Sequence, residues 1–198
     1  MTARAFDDTR EHLLATGESI MLGKGFSAVG LTEILSSAQV PKGSFYHYFS
    51  SKEGYGVALL QRYFAEYRVR LEQLLKDSSL TAREKLDRYF DNWHIEGQPC
   101  DAQRCLVVKL TGEVSDLSAA MRQELQQGME GITRYMAHCI REGRQDGSIP
   151  AGQDADALAL ALYQLWLGAA LVTKVQHTEA AYAAARLTTQ TLLGTSSA

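Results

Sequence analysis

Apolar side chains recur every third or fourth residue along most of this chain, a rhythm that amphipathic helices satisfy and strands do not. Val57, Leu60, Phe64, Tyr67, Leu71 and Leu74 form one such stripe, and Leu13, Leu14, Ile20 and Met21, with Gly17 beside them, form another. The three prolines (Pro41, Pro99 and Pro150) sit only where a helix could begin or end, because proline inside a helix removes a donor and clashes with the preceding turn. The spacing predicts helices over 8–24, 31–38, 41–49, from 52 to the Asp77-Ser78 interruption, 81–96, 117–142, 154–175 and 179–193. Gly25 is placed as the C-terminal cap of the first. Gly97-Gln98-Pro99 and the Asp146-Gly147 turn with Pro150 stop two others. Cys105-Leu106-Val107-Val108 could locally be a buried strand, but no second strand pairs with it, so it too is read as helix. The expected fold class is all-α.

Composition narrows the possibilities without choosing among them. At 45% hydrophobic and 22% charged residues, the chain has the balance of an ordinary globular protein. The net charge of -3 gives no support to nucleic-acid binding. Near the N-terminus Arg4, Arg10, Lys24, Lys42 and Lys52 are outnumbered by Asp7, Asp8, Glu11, Glu18, Glu33 and Glu53. A DNA-binding reading must therefore rest on pattern rather than on a basic footprint. The opening residues lack the apolar stretch of a secretory signal, and no apolar run is read as a membrane span. Cys100, Cys105 and Cys139 are odd in number and do not match metal-ligand spacings. A cytoplasmic protein without metal or cofactor is expected.

The most specific segment runs from Leu31 to Phe49. Ile34, Ala38 and Val40 would fill the small core between two crossing helices, and Phe45 and Phe49, four apart, give the second helix an inward face. Lys42, Ser44, Tyr46, His47 and Tyr48 are left on or near its outer surface. A short helix with polar and aromatic donors near its N-terminal end suits the major groove. Read blandly, the same residues form only a tight three-helix subdomain. Two exposed tyrosines and a histidine on one short helix, however, have little packing purpose.

The run Val40-Pro-Lys-Gly-Ser-Phe-Tyr-His-Tyr-Phe-Ser-Ser-Lys-Glu53 resembles the signature of the TetR family of repressors. The resemblance implies a helix-turn-helix over 1–53 and a ligand-sensing and dimerisation domain over 54–198. It implies that Lys42 and Gly43 lie at the DNA, that Tyr46, Tyr48 and Lys52 contact phosphates, and that Ser44 and His47 read bases. Two positions depart from the family pattern. Gly30 stands where a capping Thr or Ser is usual, so Thr32 is the candidate to supply a hydroxyl instead. Gln39 stands at a turn position usually held by Gly.

In the C-terminal half, Leu158, Leu162, Leu165, Ala169 and Val172 form one stripe, and Ala155, Ala157, Ala161 and Gly168 a second made of small residues. One face can serve the chain's own core and the other a second copy, and the resemblance implies a homodimer built on this helix and the last one, which carries Tyr182, Leu187 and Leu192. Arg104-Cys105 through Leu110, Glu113 through Leu117, and Leu165-Trp-Leu-Gly168 with Lys174 resemble an electrophile-responsive branch of the family. That branch implies a small electrophile or oxidant as inducer, Cys105 as sensor and Lys174 as its support. By its residues alone Cys105 could equally be a small buried hydrophobe, as its Leu106-Val107-Val108 flank would allow. Reactivity requires the thiolate, which Arg104 and Lys109 would favour. Cys100 could resolve an oxidised Cys105, and Cys139 falls on an apolar helix face. Trp93 and Trp166 are candidates to line a sensor pocket or simply to fill the core. Three alternatives remain open: a repressor induced by reversible ligand binding, a helical adaptor without DNA affinity, and a thiol enzyme. For the enzyme no histidine among His94, His138 and His177 is spaced to serve Cys105 as base.

Overall fold

The computed structural model describes residues 3–93 and 106–194, which form nine α-helices and no strand. In chain order these are α1 (Ala3–Lys24), α2 (Leu31–Ala38), α3 (Lys42–Tyr48), α4 (Lys52–Leu75), α5 (Ala82–Asp91), α6 (Leu106–Leu117), α7 (Ala119–Asp146), α8 (Ala155–Gln176) and α9 (Ala180–Leu192). They group into two compact units, one of residues up to 66 with 106–127, the other of 67–93 with 128–194 among those described.

In the first unit, α1 buries Leu13, Leu14 and Met21, and Gly17 lets Tyr55 of α4 lie against its backbone. The Tyr55 hydroxyl donates to the Leu13 carbonyl at 2.7 Å. The buried face of α4 therefore centres on Tyr55, Leu59, Leu60 and Tyr63. The sequence stripe led by Val57 shares Leu60 with it and reaches buried Leu71, but Val57 and Phe64 are only half-buried. Arg62 of α4 bridges Glu11 and Glu18 of α1 and Glu66 of its own helix. Gly25 closes α1 in the left-handed region, φ +89°, as a C-terminal cap should.

The expected 117–142 helix starts later and ends further on, because α6 stops at Leu117 and Ser118 separates it from α7. The Ser118 hydroxyl accepts the Met121 N–H at 3.1 Å and donates to the Glu53 carboxylate at 2.5 Å. It thus satisfies a donor that the first turn of a helix leaves without an intrahelical partner. The ambiguous Leu106-Val107-Val108 is buried helix.

In the second unit, α5 begins with a reciprocal capping box, Thr81 to Glu84, and ends at Asp91 rather than at 96. Asp146, the last residue of α7, accepts the Ala82 N–H at 3.1 Å. α8 packs on α9 through Trp166, whose indole N–H donates to Thr189 Oγ1 at 2.9 Å. Arg83 of α5 is buried, forks onto Asp87, and donates to the Leu193 and Gly194 carbonyls that follow α9. The two stripes expected on α8 are mixed in the structure. Ala155 joins Leu158, Leu162 and Ala169 in the core, whereas Val172 is exposed beside Leu171 and Val175. One correction concerns membranes: α8, with a mean hydropathy of 1.6, is long and apolar enough to cross one by length and composition. Its interior is rich in Ala and Leu, and its charges, Asp156 and Lys174, lie in the terminal turns. One face of the helix is nevertheless buried inside the protein.

Candidate nucleic-acid interface and sensor residues

α2 and α3 make a helix-turn-helix whose inner side is aromatic. Phe45 is fully buried, and its ring centroid lies 5.1 Å from that of Phe49 and 5.5 Å from that of Tyr55. Phe49 and Tyr55 meet edge-on at 4.9 Å, a geometry that the aromatic quadrupoles favour. Ile34 and Ala38 complete this core, with Val40 half-buried. His12 Nε2 lies 3.0 Å from the Ala38 carbonyl and ties the end of α2 to α1. Pro41 caps α3 with φ -61°, and Gln39 turns the chain in the left-handed conformation, φ 55°, ψ 36°. The turn that glycine usually makes is thus made by glutamine. Gly30 caps α2 without any side-chain bond.

On the outer side of α3, Lys42, Gly43, Tyr46 and His47 are exposed, Tyr46 at 54%. Ser44 and Tyr48 are half-buried, the Tyr48 ring 6.2 Å from that of Phe49. Thr32 is exposed in the first turn of α2. Lys52 stands apart from these. Its ammonium donates to the Phe26 carbonyl at 2.8 Å and lies 4.5 Å from the Phe26 ring centroid. Burial lowers its pKa below the ordinary lysine value, against the opposing charge of Glu113. Several of the acidic residues that spoil the charge count are engaged within the unit. Glu33 pairs with Lys24, Glu11 and Glu18 with Arg62, and Glu53 accepts from Ser118.

In the second unit Trp166 is the centre of an aromatic cluster. Phe90 stacks on it at 4.9 Å, and Trp93 and Tyr182 pack at 6.2 and 5.9 Å. Trp93 also meets Tyr163 edge-on at 6.4 Å. A groove of about 440 Å³ opens between α5, α8 and α9, with Phe90 and Trp166 among the residues that line it. Trp93 does not line it. The charged walls are already paired, Arg83 with Asp87 and Arg186 with Asp91. Lys174 is half-buried in the last turn of α8. Cys139 is buried and its thiol donates to the Ala82 carbonyl at 3.1 Å. Burial pushes that thiol up to about 12, so it stays protonated and inert, as its apolar helix face led one to expect. Cys100 and Cys105 lie outside the described residues.

Residues 13–64 match the family described as bacterial regulatory proteins, tetR family, and residues 82–189 match the tetracyclin repressor-like C-terminal domain. The chain belongs to the TetR family. It is 42% identical over 173 residues to the HTH-type transcriptional repressor NemR of Escherichia coli, covering 86% of each chain. It is 35% identical over 168 residues to the repressor DhaR of a Mycobacterium species, covering 85% of this chain and 83% of DhaR. The crystal structure of E. coli NemR in its reduced form superposes with a TM-score of 0.88 at 39% identity, over 96% of this chain and all of NemR.

These findings make the chain a NemR-like transcriptional repressor of the TetR family rather than an enzyme, all-helical, with an N-terminal helix-turn-helix and a C-terminal helical domain. Repressors of this family bind DNA and act as dimers. Within this TetR protein, sequence reasoning missed the structural partners of the reading helices. Glu113 of α6 bonds to the α1–α2 turn and Lys109 to the last turn of α1, and Lys52 of α4 bonds to the same α1–α2 turn. Partners 26 to 87 residues apart leave no local spacing signal.

Proposed function

We propose that this repressor binds double-stranded operator DNA as a homodimer through residues 1–53 and is released when an electrophile or oxidant modifies Cys105 in the 54–198 domain. The observation that carries the DNA half of this reading is the two-sided α3. Phe45 anchors it from beneath with no solvent exposure, while Lys42, Tyr46 and His47 face outward. In this reading Lys42 and Gly43 lie at the DNA, Tyr46, Tyr48 and Lys52 engage phosphates, Ser44 and His47 read base edges, and Thr32 supplies a hydroxyl at α2. The dimer half is supported by the exposed apolar residues of α8 and α9, among them Leu171, Val175 and Leu187.

The sensing half is supported by the likeness to NemR, which has been crystallised in a form designated reduced, and by chemistry. Cys105 immediately precedes α6 and has Arg104 and Lys109 near it in sequence, and neighbouring cations raise the thiolate fraction. Oxidation to a sulfenic acid allows condensation with a nitrogen or a second thiol, roles assigned here to Lys174 and Cys100. The site of action is the cytoplasm. A second reading, reversible induction by a small molecule, is favoured by the groove that Trp166 helps to line.

Gel-shift titration of wild type and Cys105→Ser, with and without methylglyoxal or a quinone, tests the proposal. Wild type should lose operator affinity several-fold to a hundredfold, the usual span of allosteric coupling, and Cys105→Ser should keep it. Equal loss by both proteins removes Cys105 from the mechanism. Intact-protein mass after exposure separates covalent sensing from reversible binding, since only the former changes mass.

A further inference from the structure

Two successive backbone N–H groups in the α1–α2 turn point at a single carboxylate from a distant helix. Glu113 of α6 accepts from Phe26 N–H through Oε2 at 2.9 Å and from Ser27 N–H through Oε1 at 2.5 Å. One turn earlier on α6, Lys109 Nζ donates to the Gly23 carbonyl at 3.1 Å. Lys52 of α4 takes the Phe26 carbonyl at 2.8 Å. The turn is shaped for this grip. Gly25 has φ +89°, and a Cβ there would fall 2.7 Å from Glu113 Oε2, so the carboxylate occupies space that only glycine leaves. Burial alone would raise the Glu113 carboxyl, but the Ser27 and Phe26 donors and the Lys109 ammonium outweigh it and hold the group below its ordinary value. The clasp is therefore ionised at neutral pH, and hydrogen bonds to an ionised acceptor are roughly twice as strong as neutral ones. The side chains of Phe26 and Val29 anchor the turn in the core, but its own backbone bonds are few. Val29 N–H reaches Phe26 O only at 3.4 Å, and Gly30 gives α2 no side-chain cap.

We propose that Glu113 and Lys109 are positioning residues that fix the pose of the α1–α2 turn, and with it α2 and α3, so that a dimer discriminates between operators by half-site spacing. Neither is a DNA contact in the reading above; Glu113 acts through the backbone of the turn and Lys109 through the Gly23 carbonyl in the last turn of α1. A loosened turn lets the reading helix reach displaced half-sites, which costs selectivity before it costs affinity. The inference rests on the dimeric operator reading above but not on Cys105.

The test uses full-length protein and palindromic duplexes derived from an operator selected with wild type, their half-site spacing changed by one or two base pairs. For wild type, Glu113→Gln, Glu113→Ala and Lys109→Ala, the measured quantity is the ratio of affinities for the preferred and altered spacings. The ratio should fall about five-fold or more in Glu113→Ala, less in Glu113→Gln, which keeps one acceptor, and should recover in part in Glu113→Asp. Lys109→Ala, which removes a single bond, reads the same ratio should Glu113→Ala fold poorly. A purely structural role would weaken binding to every spacing by a common factor. An unchanged ratio in all variants overturns the proposal. A wild type without any spacing preference overturns the dimeric operator reading, and this one with it.

Discussion

Gln39 occupies the left-handed conformation at the bend between α2 and α3, φ 55°, ψ 36°, where a Cβ crowds the next carbonyl at a cost of roughly 1–2 kcal/mol. Its neighbours tolerate the bend because the backbone is well bonded there, with Val40 N–H on Leu35 O at 3.0 Å and Gln39 N–H on Ser36 O at 3.3 Å. Glycine would relieve the crowding while adding about 0.5–1 kcal/mol of unfolded-state entropy. Gln39→Gly should therefore stabilise the protein by roughly 0–1.5 kcal/mol, the difference of those two effects. Urea denaturation measures this as a higher midpoint at unchanged slope, and a lower midpoint would mean that the glutamine side chain contributes more than its strain. At the same scale, Glu33 is paired with Lys24, and Glu11 and Glu18 with Arg62, which ties these carboxylates into the unit without altering its net charge.

At the scale of elements, α2 and α3 were legible almost to the residue, since Pro41, Phe45 and Phe49 declare both the start of a helix and its inward side. The α6–α7 break was legible only in hindsight. Ser118 is a helix-capping residue three places before Met121, but the apolar rhythm continues across it. What sequence could not show is how one element holds another, as Arg83 of α5 holds the carbonyls after α9. The cap that α7 provides for α5 gives a pH prediction. Hydrogen bonds from the Ser148 side chain and backbone, and then from Ala82 N–H, hold the Asp146 carboxyl below its ordinary 3.8. A depressed folded-state pKa means that the contribution to stability is fully present above the unfolded value and is lost as pH falls through the folded one. Asp146→Asn should thus destabilise at pH 7, by less than about 1 kcal/mol for so exposed a group, and should match wild type once the pH is well below 3.8. Thermal melts of both proteins across that range report it, and a parallel pH dependence in the two would exclude Asp146 as a source.

For the whole molecule, the decisive surface is the apolar side of α8 and α9 that the described residues leave uncovered. Val175 is 79% exposed, Leu187 67% and Leu171 51%, whereas isolated surface apolar residues would need no explanation. On α8 the exposed positions Ala157, Ala161, Gln164, Leu171 and Val175 fall three, four or seven apart, the repeat of one helix face. A symmetric dimer brings such a face against itself, so a charge placed there meets its own copy. Leu187→Glu leaves the subunit core untouched, and its effect on subunit folding should stay within about 0.5 kcal/mol, as for other surface changes. At the interface, however, it buries two carboxylates without partners, a cost of several kcal/mol. Sedimentation velocity should show a monomer where wild type is a dimer. Operator affinity should fall by about a hundredfold or more, because one half-site reader then binds without the gain of a tethered second. A Leu187→Glu protein that stays dimeric and holds its operator would place the partner's contact on another face, and the readers would have to be spaced from there.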